Sequence, residues 1–289
     1  MFDPTAIVTG DWNGDGIPDL AIASGNNTVA IELGNGDGTF APPSSITITD
    51  PVAMAVGDFN ADGVADLAVV SETTTGGVTI LLGNGNGTFT PTATSPSVGP
   101  YSNAVATGDF NGDGIPDLAV SNLYTGMLYI LLGNGDGTFN VSQTTTGISS
   151  CVGSVKSADF NGDGKADLIL GGICSNIVTT LLGNGNGTFR IGAVTQGVQG
   201  DTNLVIADFN GDGRLDAATA PSSGSRSSHH SAGRRCRRLR CFTNQTEYLR
   251  KQRRNRNWRF QWGWNDASIM VEVCRDDGTG VVARWRSDR

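Results

Sequence analysis

The chain has 289 residues, 41 of them glycine, only 17% are charged, and the formal net charge is -8. So many glycines with so few charges argue for closely spaced turns rather than packed helices, and hence for an all-β fold. The charge is also divided: residues 1–225 carry 22 acidic and 4 basic side chains, a balance of -18, while residues 226–289 carry 16 basic and 6 acidic, a balance of +10. Stretches so different in composition do not read as one core, and the acidic one offers no surface for nucleic acid.

No apolar run is long enough to span a bilayer, so no membrane insertion is expected of this piece, and MFDPTAIVTGDW has neither a basic n-region nor an apolar h-region. A strand and an acidic loop follow Met1 almost at once. The chain therefore reads as starting inside a longer repeat array, and the missing signal peptide says little about compartment.

That loop is the first of five. Asp11, Asn13, Asp15 and Asp19 stand at positions 1, 3, 5 and 9 of a short segment, as do Asp58, Asn60, Asp62 and Asp66; Asp109, Asn111, Asp113 and Asp117; Asp159, Asn161, Asp163 and Asp167; and Asp208, Asn210, Asp212 and Asp216. The first Asp recurs at intervals of 47, 51, 50 and 49 residues, a period that signals a repeat architecture. Alternate side chains fall on the inside of a tight loop, where their oxygens converge and suit calcium, which takes six to eight oxygen ligands. The position-7 backbone carbonyl is a further donor. An EF-hand needs a bidentate Glu at position 12, where this chain has Ile22, Val69, Val120, Leu170 and Thr219, and it needs helices, whereas each loop here runs into Leu-Ala-Val alternation typical of a strand. A metal-free, Asx-rich turn is the other reading of the same residues.

Within the period at residues 103–142, NAVATGDF, DLAVSN, MLYILL and a run beginning at Thr138-Phe139 read as four short strands, the signature of one propeller blade. The third and fourth are joined by LGNGDGTF, repeated at Leu33–Phe40, Leu82–Phe89, Leu132–Phe139 and Leu182–Phe189. Asn-Gly and Asp-Gly supply the positive φ that a tight hairpin demands. Asp37 and Asp136 become Asn86 and Asn186 elsewhere, which suits a turn better than a second ion site. Aromatics recur at loop position 2 (Trp12, Phe59, Phe110, Phe160, Phe209) and after the turn (Phe40, Phe89, Phe139, Phe189), and are assigned to packing between blades rather than to a ligand platform. Residues 41–52, 90–102 and 140–154, rich in Pro, Ser and Thr, read as surface connectors on which a partner surface could be built.

Past Ser225 the pattern stops. Trp258–Trp264, read one nucleotide later, permits Gly-Asp-Phe-Asn-Gly-Asp-Gly, and the hidden loop then begins at Arg259, 51 residues after Asp208. Residues 223–289 are accordingly read as an aberrant basic tail, an out-of-frame translation of further repeats, with a genuine basic tail as the alternative. As written, the tail is not expected to fold onto the array. The only histidines, His229 and His230, lie in it, so no catalytic residue is assigned. Glu72 and Asp201 are carboxylates confined to one blade, of the kind a site would need, but they read as surface charges. Cys151 and Cys174 flank the fourth loop almost symmetrically, so antiparallel strands would bring them opposite one another, which reads as a disulfide or, alternatively, as two ordinary small residues at a blade edge.

The acidic loop, its Leu-Ala-Val strand and the LLGNGDGTF turn together resemble the FG-GAP or VCBS repeats of the N-terminal propeller of integrin α chains and of many large secreted bacterial proteins. The resemblance covers residues 1–222. It implies an all-β propeller, usually seven-bladed, of which about four and a half blades are intact here. It further implies Ca2+ in each loop, held by the residues at positions 1, 3, 5 and 9 and by the carbonyls of Ile17, Val64, Ile115, Lys165 and Arg214. One departure is Ala61, at a loop position where the other copies have Gly; its side chain is expected to point outward at little cost. The implied role is a non-catalytic, extracellular or cell-surface module that binds an unknown protein or glycan ligand, with the accessory propeller of a secreted polysaccharide-active or other enzyme as the alternative.

Overall fold

In the computed structural model, residues 3–94, 96–145, 151–172, 177–196, 201–209, 213–221, 236–242 and 270–274 are described, and all the secondary structure among them is β-strand. The first sheet is β1 (Pro4–Gly10), β2 (Asp19–Ser24), β3 (Thr28–Glu32) and β4 (Ser44–Thr47). The second is β5 (Pro51–Gly57), β6 (Asp66–Ser71), β7 (Gly77–Gly83) and β8 (Phe89–Pro91), and the third is β9 (Ser102–Gly108), β10 (Asp117–Asn122), β11 (Leu128–Gly133) and β12 (Phe139–Thr145). The fourth is β13 (Val152–Ala158), β14 (Asp167–Gly172), β15 (Ile177–Gly183) and β16 (Phe189–Gln196). The fifth is β17 (Asp201–Ala207), β18 (Asp216–Pro221), β19 (Cys236–Phe242) and β20 (Met270–Cys274). In every sheet the four strands lie antiparallel in sequence order, one blade per repeat.

Register places the acidic loop the same way each time. Gly10 pairs with Asp19, Gly57 with Asp66, Gly108 with Asp117, Ala158 with Asp167 and Ala207 with Asp216, so each loop caps the hairpin between the first two strands of its blade. All six residues of β6, of β10 and of β14 are buried, because these second strands are covered on both faces by neighbouring blades. The apolar core is thus divided into layers, one between each pair of adjacent blades. Phe59, Ala68, Val70, Val78 and Ile80 of the second blade meet Val105, Leu118, Val120 and Leu131 of the third, and equivalent residues meet at the other boundaries.

The recurrent aromatics are part of these layers. The Trp12, Phe59 and Phe110 rings lie edge to face with Phe89, Phe139 and Phe189 of the following blade, at centroid distances of 5.9, 5.5 and 5.4 Å. Their assignment to packing holds. Phe40 has no preceding blade in the chain and is 40% exposed.

Two expectations change. The connectors are shorter than read, because Ser44–Thr47 is β4 and Phe139–Thr145 is β12. Outer strands have one free edge and half-solvated faces, so Ser and Thr sit in them as readily as in loops, and composition alone does not separate the two. In the tail, β19 and β20 add to β18. Even so, β19 starts at Cys236, 59 residues after the start of β15 at Ile177, so it stands outside the period of about 50. The rest of 223–289 lies outside the described residues.

Candidate metal centre

Each loop closes on itself through its own acidic side chains. In the first, the Asp11 carboxylate accepts the N–H of Gly14 at 2.8 Å on one oxygen and that of Gly16 at 2.9 Å on the other. Asn13 Oδ1 accepts the Asp15 N–H at 3.1 Å, Asp15 Oδ1 accepts the Ile17 N–H at 2.8 Å, and Asn13 Nδ2 donates to Asp15 Oδ2 at 2.9 Å. The same bonds recur around Asp109, Asn111 and Asp113, and around Asp159, Asn161 and Asp163. These side chains are exposed or half-buried, and the Asx turns they make fold the backbone around them.

Position 9 has a different place. Asp19, Asp66, Asp117 and Asp167 are fully buried beneath the loop, and Asp216 nearly so. One oxygen of Asp117 accepts the N–H of Phe110 at 2.8 Å and the other that of Gly133 at 2.9 Å. Asp19 does the same with Trp12 and Gly34, Asp66 with Phe59 and Gly83, and Asp167 with Phe160 and Gly183. This carboxylate therefore pins the acidic loop to the first glycine of the LGNG turn on the third strand. Sequence reasoning counted it only as a ligand. The missed signal was that glycine, which stands 15, 17, 16 and 16 residues beyond the Asp in the first four repeats: a Cβ on Gly133 would meet the Pro116 carbonyl oxygen at 2.5 Å.

Burial raises the carboxyls of Asp66, Asp117 and Asp167 above the usual aspartate range. Their two backbone N–H bonds pull the other way, and the like charges at positions 5 and 1 of the same loop add to the rise. The loop carboxylates thus crowd one another. Among the described residues, however, no three His, Cys, Asp or Glu groups are gathered closely enough to hold a metal ion. Positions 1, 3 and 5 come together, while position 9 faces the strand behind them.

The fifth loop is partly described. Phe209 N–H reaches Asp216 at 3.1 Å and Gly213 N–H reaches Asp208 at 2.8 Å, while Asn210 and Asp212 lie outside the described residues. Ala61 departs from expectation. Its position does face open space, since a Cβ on the equivalent Gly14 or Gly162 would meet nothing within 4 Å, but its φ is +58°, where a side chain is strained. Gly14, Gly112 and Gly162 each donate N–H to the first Asp of their loop; in the second loop Asp58 Oδ1 accepts the Asp62 N–H, at 3.1 Å, a bond that the third and fourth loops make in addition to the glycine one.

The LGNGDGTF segment is a self-satisfied turn. Asp136 Oδ1 accepts both the N–H and the hydroxyl of Thr138, and Asn186 does the same for Thr188. The hydroxyl bond and then the N–H bond hold the exposed Asp37 and Asp136 carboxyls below the usual range. Asp and Asn serve equally there because either one supplies the accepting oxygen. The turn also reaches the blade before it, since Gly87 donates N–H to the Trp12 carbonyl at 2.9 Å, Gly137 to that of Phe59 at 2.9 Å and Gly187 to that of Phe110 at 2.8 Å.

Known structures share this architecture. Over 84% of this chain and 66% of that one, the fold is similar to a crystal structure of BBS1N in complex with ARL6DN, soaked with lead, at a TM-score of 0.57 and 16% identity. It is also similar to the Bacillus licheniformis rhamnogalacturonan lyase PL11, at a TM-score of 0.51 and 14% identity over 76% of this chain and 47% of the lyase. The chain thus spans less than two thirds of either. No curated protein matches the sequence. The FG-GAP-like repeat model matches residues 11–69, 58–120, 109–170 and 159–219. Its matches run from one acidic loop through the next, the unit that recurs here as hairpin, turn and inter-blade contact, and the chain belongs to the FG-GAP-like repeat family.

Proposed function

We propose that this chain is a calcium-binding, extracellular β-propeller module that binds a protein or glycan ligand in adhesion and performs no catalysis. The observation that supports it best is the loop, repeated at the same hairpin of successive blades, with exposed or half-buried Asp, Asn and Asp side chains crowded on one turn. The donor set suits calcium in kind. Asp11, Asn13, Asp15 and the Ile17 carbonyl would hold one ion, their counterparts in the other loops would hold the rest, and each position-9 carboxylate keeps lone pairs beyond its two backbone bonds. The ion would neutralise like charges that the fold forces together, linking metal binding to stability.

Titration calorimetry and thermal melting, with calcium and with chelator, test this reading. Site affinities on the order of 10⁻⁴–10⁻³ M are expected if the loops behave like other extracellular modules. A melting curve that chelator leaves unmoved would count against it. For the ligand, glycan arrays and cell-adhesion assays should detect binding that is lost in chelator.

A second reading, an accessory propeller attached to a secreted enzyme, is motivated by the lyase among the similar folds. That likeness is one of fold alone. The two readings separate in isolation, since a binding module retains its ligand and an accessory propeller need not.

A further inference from the structure

Two turns of the chain carry an internal control for a reaction of asparagine. Residues 83–89 and 183–189 are the same heptapeptide, GNGNGTF, and each holds two Asn-Gly steps: Asn84-Gly85 and Asn86-Gly87, then Asn184-Gly185 and Asn186-Gly187. Every one of these asparagines stands between two glycines, so local sequence makes the steps equal and the fold separates them. The Gly87 and Gly187 N–H groups are buried on the Trp12 and Phe110 carbonyls of the preceding blade, at 2.9 and 2.8 Å. The Asn86 side chain is held too, its Oδ1 accepting both the N–H of Thr88 at 3.0 Å and its hydroxyl at 2.6 Å, and Asn186 is held in the same way. Asn84 and Asn184 are exposed, and the half-buried Gly85 and Gly185 have no acceptor on their N–H groups among the described residues.

We propose that Asn84 and Asn184 are sites of spontaneous deamidation, and that Asn86 and Asn186, two residues on, are protected by the hydrogen bond between blades. The Gly85 backbone nitrogen attacks Cγ of Asn84. The new N–C bond closes a five-membered succinimide, the Cγ–Nδ2 bond breaks, and ammonia leaves with the proton that the Gly85 nitrogen loses. Water then opens the ring at either carbonyl, which leaves an aspartyl or an isoaspartyl residue at that position. Glycine favours the attack because no Cβ shields its nitrogen. At Gly87 the same proton is committed to a carbonyl in a buried contact, so the nitrogen is neither free to lose it nor open to approach. Asn184 should react before Asn84. Both donate from Nδ2 to a threonine hydroxyl at 2.9 Å, but Asn84 Oδ1 also accepts the Thr90 hydroxyl at 3.0 Å, and Arg190 in that place gives Asn184 no such bond among the described residues.

The products alter the contact between blades. Each adds one negative charge to a stretch already at -18 and removes the Nδ2 donor to Thr88 or Thr188. The isoaspartyl form also lengthens by one backbone carbon a turn that the Asn84 N–H pins to the Thr88 carbonyl at 3.0 Å. Since the same turn carries Gly87, deamidation loosens the second blade's hold on the first.

Peptide mapping of the folded full chain, aged at mildly alkaline pH beside an aliquot unfolded in urea, tests the proposal. Because the heptapeptides are identical, the digests cut outside them, after Glu72 for the first turn and after Lys165 for the second, and fragment spectra assign the modified residue. In folded protein, deamidation at Asn84 and Asn184 should outpace that at Asn86 and Asn186 by about tenfold or more, and in urea the four should react alike. Equal rates at the two steps of one turn in folded protein, or a preference that persists in urea, overturns the proposal. So does a folded chain in which Asn84 and Asn184 stay intact while the unfolded chain reacts.

Discussion

Tyr101 and Tyr124 meet edge to face with ring centroids 5.1 Å apart, at the two hairpin positions that Cys151 and Cys174 hold one repeat later. Tyr101 accepts the Leu123 N–H at 2.9 Å, and it shares a left-handed φ with Cys151, at +59° and +65°. Cys151 is disulfide-bonded. Cys174, its partner by spacing, lies outside the described residues.

Reduction should therefore loosen the fourth blade. A bridge between residues 151 and 174 closes a loop of about 20 residues, which corresponds to about 3 kcal/mol of stability. Peptide mapping without reductant should recover a linked Cys151–Cys174 fragment, and Cys151→Ser should lower the melting temperature as reductant does. Free thiols at both positions in protein made in an oxidising host would contradict this.

Position 9 and position 5 should separate in a mutational test without metal. Asp117→Ala leaves the Phe110 and Gly133 N–H groups buried and unpaired, so it should cost on the order of 2–4 kcal/mol even in chelator. Asp113→Ala removes exposed Asx contacts, so its metal-free cost should stay under about 1 kcal/mol while calcium uptake at that loop is lost. Chemical denaturation in chelator and calorimetry in calcium measure the two halves. Equal metal-free costs would remove the distinction.

Ala61→Gly should stabilise the second blade. It relieves a left-handed side chain of about 1–2 kcal/mol of strain and returns part of that as chain entropy, leaving a net gain of about 0.5–1 kcal/mol. Urea denaturation of the pair of proteins decides the sign.

Glu72 makes a pH-dependent prediction. Burial first, and the Asp50 charge second, raise its carboxyl above the ordinary glutamate value. The folded state thus holds this proton more tightly than the unfolded chain does, so its ionisation weakens the fold as pH rises through the folded pKa, and the penalty is absent below the unfolded value of about 4.5. Glu72→Gln should accordingly melt higher than the parent at pH 7 and together with it near pH 4. A gap that is constant across that range would exclude the charge as its cause.

Much of this was legible in the sequence because each repeat restates the same constraints. The alternation after Asp117 and the Asn-Gly and Asp-Gly turns act within a few residues, the aromatics recur at fixed offsets, and the repeated copies average out accident. What escaped was relational. That Asp117 serves Gly133, or that Thr144 in a run of Ser and Thr belongs to a strand, depends on which segment lies alongside. The strain at Ala61 escaped for another reason, since a Gly-to-Ala change reads as mild until φ is known.

The hydrogen bond from each turn glycine to the aromatic carbonyl of the blade before it gives the array an addressable readout. The amide of Gly87 senses the loop that begins at Asp11, that of Gly137 the loop at Asp58, and that of Gly187 the loop at Asp109. If the loops take up calcium as proposed, solvent exchange at these three amides should slow one by one as their loops fill, so site-resolved spectra would rank the loops in occupancy without any label. Because each amide belongs to a different blade from the loop it reports, the same spectra would reveal whether filling one loop stiffens its neighbour alone or the stack beyond it.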